Sequence, residues 1–270
     1  SDNQTFTDLT VTMEGGTLSG STGRVDFYGQ TTQVKTLASS KESIISTQVS
    51  LRQDDNIFDI ADGVAANDLL VSGNFITTGG EAVTRTLIKL GAGTMNISGQ
   101  YNIAKGIEVR TGKLILSNAD AKLAATEISI HKDAVLTFNT MKAEGYNYGG
   151  ILSAQGADAT EAGTVETAAG TKLALSGNNS AFNGTLQIAN NAALTLLGDM
   201  GAANLRGDGA LLVQRGTTVI SGNNDGDSLF SGTITITNGT LRAGTDTALG
   251  NGDINLQGGT LDLTDKALAN

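Results

Sequence analysis

An all-β fold, a right-handed parallel β-helix built as a single elongated domain with one or two inserted loops, is predicted by three observations on this 270-residue sequence. Short strands of alternating apolar and polar residues recur between Gly-rich turns. Proline is absent, and aromatic residues make up only 4% of the chain. Proline cannot donate to a β ladder, so a chain made mostly of central strands has little room for it. A chain so poor in large rings must build its core from many small aliphatic contacts. Gly, at 36 of 270 residues, is roughly twice as frequent as in ordinary domains and supplies turns.

The strands can be taken in order. Three stretches share a Gly-Thr turn, a short strand and a Ser-Gly corner: residues 93–99, 170–177 and 216–222. The last two run on through Asn-Asn to Phe182 and Phe230, and Tyr101 takes a similar place in the first. A second and a third strand follow each corner. These are residues 107–109 and 112–116, then 184–188 and 193–196, then 232–236 and 239–243. Residues 253–256 and 258–263 repeat the theme, and 15–19 echo it near the other end.

Alternation with a period of two gives each strand one buried and one solvated face. Strands of four or five residues would leave a flat sheet with poorly covered ends, whereas stacked coils pair each strand with its equivalent above and below. At roughly 20–25 residues per coil the sequence implies about 11–13 coils and a rod of about 50–60 Å. Gly93, Gly99, Gly170, Gly177, Gly216, Gly222, Gly239 and Gly259 are the expected corners, where positive φ favours glycine. Gly→Val at Gly177 or Gly222 is expected to abolish folding for that reason.

Residues 87–99 and 221–241 resemble the passenger-associated repeats of bacterial autotransporters. In that family a K-x-G-x-G-T-L-x-L-S-G-x-N core is followed by F-x-G-x-x-x-I-x-x-G-T-L. The likeness covers residues 69–118 and 161–263 and is poor over 1–68; the shortened corner at Gln100-Tyr101 departs from it. It implies a passenger fragment over 1–270, exported and displayed at the bacterial surface or secreted, acting as an adhesin or self-association scaffold. Vectorial folding of the coils would support export. Implied partners are a host surface or matrix component, or a second copy on a neighbouring bacterium. Membrane attachment would run only through a C-terminal barrel absent from this sequence, which stops mid-solenoid. A stalk whose catalytic head lies elsewhere is the runner-up, and a polysaccharide-degrading β-helix is the rival of another class.

Composition narrows the chemistry. A net charge of −10 argues against nucleic acid as a partner, and no cysteine means no disulfide or thiolate metal site. No run approaches the ~18 apolar residues of a membrane helix. No catalytic, cofactor or metal residue is assigned. Gly226-Asp227-Ser228-Leu229 spells an esterase block, but the single His131 lies upstream of it, and a serine without a base is a poor nucleophile. Asp208, Asp225, Asp227 and Asp253 are too dispersed for a stacked pair of glycosidase carboxylates. Residues 52–68, with Asp54, Asp55, Asp59, Asp62 and Asp68, form one expected inserted loop, whose charges read as solvated surface rather than a calcium loop.

Residues 141–169 form the other expected loop. Tyr146 and Tyr148 there are candidate partner contacts, although tyrosine rings often pack back over a loop's base. Arg206-Gly207-Asp208 spells the tripeptide that integrins read, at a position where the repeat wants a Gly-rich turn anyway.

Overall fold

Every β ladder whose register is described is parallel in the computed structural model, which describes residues 3–20, 22–76, 85–101, 103, 105–118, 127–140, 142–154, 163–222 and 230–267. There is no helix among these residues, and the strands stack as a β-solenoid of about ten turns. Fewer turns form than the repeat implies, because many coils run longer than expected. The chain divides into an N-terminal unit (residues 1–129 with 133–136) and a C-terminal unit (130–132 with 137–270). The division falls within β15 (Glu127–Ile130) and β16 (Val135–Phe138).

In the N-terminal unit each coil contributes one strand to each of three faces. The first face is β1 (Gln4–Thr7), β4 (Arg24–Tyr28), β7 (Gln48–Leu51) and β10 (Phe75–Ile76), extended by a bridge from Phe75 to Tyr101. The second is β2 (Thr10–Met13), β5 (Gln33–Thr36), β8 (Asp55–Asp59), β11 (Thr86–Leu90) and β13 (Gly106–Val109). The third is β3 (Thr17–Leu18), β6 (Ser43–Ile45), β9 (Leu69–Val71), β12 (Thr94–Ile97) and β14 (Lys113–Leu116).

Register makes the core. Ile45, Val71, Ile97 and Leu116 form one inward column, each at most 1% exposed. The few rings also stack from coil to coil: Phe6 on Phe27 and Phe27 on Phe58 at 6.1 Å, with Phe75 edge-on to Phe58 at 5.8 Å. Residues 1–68, which match the repeat least, thus hold complete three-faced coils.

In the C-terminal unit one face is β17 (Tyr146–Tyr148), β20 (Lys172–Leu175), β22 (Ala193–Leu196), β24 (Ala210–Val213), β26 (Thr233–Ile236) and β28 (Ile254–Leu256). β18 (Ile151–Ser153) follows β17 in the chain. A second ladder joins β19 (Thr164–Thr167), β21 (Thr185–Ile188) and β23 (Met200–Gly207); a third joins β23 to β25 (Thr217–Ile220), β27 (Thr240–Ala243) and β29 (Thr260–Asp262). β23 serves both ladders because it is eight residues long, its N-terminal half pairing with β25 across a bulge and its C-terminal half with β21. Coil length varies widely: Asn147 pairs with Ala174, 27 residues on, whereas Thr195 pairs with Leu212, only 17 on.

Three sequence expectations need correction. The stretches 93–99, 170–177 and 216–222 are each a strand between corners, but they do not all stack as equivalents, since β20 belongs to a different sheet from β12 and β25. β12 lies on the third face of its unit, β20 pairs with β17 and β22, and β25 pairs with β23 and β27. The expected loops also shrink, since 52–68 contains β8 and 141–169 contains β17, β18 and β19. A connection of residues 60–68 remains, and 155–162 lie outside the described residues.

Finally, of the eight glycine corners only Gly170 (φ +76°) and Gly216 (φ +72°) have positive φ. The others are fixed by close approach. A Cβ on Gly177 would fall on the carbonyl oxygen of Gly150, one on Gly99 on that of Gly73, and one on Gly93 on that of Ala61. Added carbons on Gly222 and Gly239 would strike the side chains of Asn204 and Val213, and one on Gly259 would lie 2.5 Å from the Gly239 oxygen.

Candidate functional site

Tyr146 and Tyr148 are not a protruding contact. Both point inward from β17, 8% and 1% exposed, and their rings lie 6.0 and 6.2 Å from that of Phe138. Tyr148 Oη donates to Ile151 O at 3.3 Å. The two rings alternate with exposed Asn147, so the strand period that places them in the core was present in the sequence but masked by the surrounding Gly and Asn.

Arg206 lies outward on β23 opposite Gln187, Gly207 turns the chain with φ +99°, and Asp208 is exposed just beyond. The backbone at Gly207 approaches Ile188 so closely that no Cβ fits, which accounts for that residue structurally. The tripeptide therefore sits at the end of a paired strand rather than at the tip of a loop.

The acids of 52–68 disperse. Asp54 pairs with Arg85 at 3.2 Å and Asp59 with Lys35 at 3.9 Å, while Asp62 is exposed. Asp68 is buried, and its two carboxylate oxygens accept from Gly63 N and Thr94 N, each at 2.7 Å. Among the described residues no three His, Asp, Glu or Cys side chains converge as metal ligands would. His131 sits half-buried in the turn after β15. Asp208 and Asp253 are exposed, two coils apart and two residues out of register. Residues 223–229, with the Gly226–Leu229 block, Asp225 and Asp227, lie outside the described residues.

The most perturbed charge went unnoticed in the sequence. Lys89 occupies an inward column of the second face, between Phe58 and Val109, and is 0% exposed. Its Nζ donates to Leu90 O (2.9 Å), Gly91 O (2.7 Å) and Thr111 O (3.1 Å), so all three N–H bonds are used. Burial pushes its pKa down to about 8, against the opposing pull of Asp59 and Asp68. The ammonium knits two coils at a corner and has no free N–H to offer a substrate. A second charged knot lies on the first face, where buried Asp26 accepts from Arg24 at 2.7 Å and faces Arg52 at 3.5 Å. Arg52 also lies over the Tyr28 ring at 5.4 Å. Glu108 and Arg110 make a third pair at 2.9 Å, which raises the arginine pKa.

These features define a parallel β-solenoid whose charged groups serve its corners. No known protein family, curated protein or solved structure matches this chain.

Proposed function

We propose that this chain is a non-catalytic passenger of the autotransporter type, displayed outside the bacterial cell and working as an adhesin or self-association scaffold. The supporting observation is the locality of its pairing. Among the described residues each strand bonds the equivalent strand one coil before or after, with registers 17 to 31 residues apart, and none skips a coil. Such a stack can grow one coil at a time on coils already formed, as a chain emerging end-first through a pore must. The repeat-like segments 87–99 and 221–241 and the absence of Cys fit the same route.

The test places the chain between a cleavable export signal and an autotransporter barrel in a Gram-negative host. Intact cells should expose it to added protease, and they should settle together or adhere to matrix-coated surfaces faster than cells carrying the barrel alone. Display without adhesion would favour the stalk reading. Retention in the periplasm beside a correctly inserted barrel would sink the export reading.

A further inference from the structure

We infer that the corner between the third and first faces of the N-terminal unit is a groove that binds a neutral glycan chain. The residue after each third-face strand is a serine in five successive coils: Ser19, Ser46, Ser72, Ser98 and Ser117. They stack, since the amides of Ser46, Ser72 and Ser98 each donate at 2.9 Å to the last strand residue of the coil before (Leu18, Ile45, Val71), and Ser117 donates to Ile97 at 3.0 Å. Two residues beyond runs a parallel column of amides, Gln48, Asn74 and Gln100, held in register by the pairing of Val49 with Phe75 and of Phe75 with Tyr101. The Asn74 carboxamide accepts from Gln100 N at 2.9 Å. Between the columns lie buried Thr47, Gly73 and Gly99, with no bulky side chain to fill the space.

The result is a cavity of about 240 Å³ whose walls include Ser46, Ser72, Gln48, Asn74 and Thr22, with glycine backbone for the rest. Among the described residues no charged or large apolar residue lines it, although the chain carries 17 Lys/Arg and 27 Asp/Glu. The side chains of Ser46, Ser72, Ser98 and Gln48 make no hydrogen bond among the described residues.

The lining selects the ligand class. An anionic polymer would need Lys or Arg at the wall, and an apolar peptide would need apolar pockets. Hydroxyls and primary amides both donate and accept, as do sugar hydroxyls. The rungs repeat at about 4.8 Å, close to the advance of one pyranose in an extended glycan, so successive sugars would meet equivalent groups on successive coils. Phe75 and Tyr101 are wholly buried beneath, leaving no ring on which a sugar could stack. Affinity for a short oligosaccharide should therefore be millimolar and should rise with chain length. This deepens the adhesive reading and rests on it only for biological use.

The test titrates isotope-labelled protein with cellohexaose, chitohexaose and a sulfated hexasaccharide, following backbone amide resonances. The two neutral chains should shift Gly20, Ser46–Gln48 and Ser72–Asn74, bind more tightly than their trisaccharides, and show no salt dependence. S46L/S72L should fill the groove and weaken binding at least tenfold with the melting temperature unchanged, while N255L on the C-terminal unit should bind as wild type. Absence of shifts, shifts elsewhere, tighter binding of the sulfated chain, or undiminished binding by S46L/S72L would each overturn the inference. If the groove fails while displayed cells still adhere, this inference falls alone. If it binds glycan while displayed cells do not adhere, only the adhesive reading falls.

Discussion

Lys89 makes the stability of the N-terminal unit depend on alkaline pH in a direction opposite to that of an ordinary ion pair. Its folded pKa of about 8 lies below the ordinary 10.5, so the unfolded chain holds its proton more tightly than the folded one. Stability must then rise with pH across that window, the gain being complete above about pH 10.5 and absent below about pH 8. At 1.36 kcal/mol per pKa unit, the swing is on the order of 3 kcal/mol. Lys89→Met keeps the inward stem and removes the titration. It also leaves the Leu90, Gly91 and Thr111 carbonyls without their ammonium donor, a pH-independent cost of about 1–3 kcal/mol. Urea unfolding by far-ultraviolet circular dichroism at several pH values from 7 to 10.5 would measure both proteins. The wild-type curve should gain on the variant as pH rises, which cancels the tyrosines common to both. A difference that stays flat through this range would show that burial leaves the amine's pKa unshifted, and the argument would fail.

Gly177→Ala should cost several kcal/mol in the C-terminal unit, because its methyl would occupy the place of the Gly150 carbonyl oxygen, whereas Gly149→Ala, with its nearest contact at 3.5 Å, should be nearly neutral by the same melt. Equal stability of the two would remove close approach as the reason for the corner glycines. Asp68→Ala strands two partly buried amides and should lower stability by about 1–3 kcal/mol while depressing the Lys89 pKa further; an unchanged pH window would uncouple the two groups. Tyr148→Ala should cost about 3–5 kcal/mol through its cavity. Tyr148→Phe, which removes the hydroxyl that donates to Ile151, should leave adhesion of displayed cells intact, whereas a selective loss of adhesion would return the ring to the surface.

Strands were legible wherever apolar and polar residues alternate strictly. Thr185-Leu186-Gln187-Ile188 and Thr233-Ile234-Thr235-Ile236 read directly as inside and outside. Phase was not legible: a period of two says which way a side chain points but not which coil it stacks upon, and coils of 17 to 31 residues shift similar segments onto different faces. The weak likeness over 1–68 has its own cause. Apart from the Gly-Thr turn at residues 15–17, several corners there are closed by side chains. Thr32 Oγ1 donates to Tyr28 O at 2.5 Å and to Phe6 O at 3.1 Å, and Asn56 Nδ2 donates to Gln53 O at 2.8 Å. Asp8 holds φ +51° while its carboxylate accepts from Gln30 N and Thr31 N, which lowers its pKa. Lys89 was hidden because a lysine in an alternating strand is read as outward, and only the three carbonyls at the next corner make an inward position tolerable. The glycan groove was equally hidden, since its two columns are assembled from residues a full coil apart.

Coil-on-coil pairing also sets how either unit would bear a load. Ladder hydrogen bonds run along the stacking direction, so tension applied along it opens them one coil at a time instead of shearing many at once. Between Tyr146 and Asp262 each released coil of 17 to 27 residues would lengthen the chain by roughly 60–95 Å at ~3.5 Å per residue. The intact coil beneath is already the template for its return. A tether of this kind yields in small, recoverable steps under flow and dissipates a pull that would tear a single rigid contact from its surface.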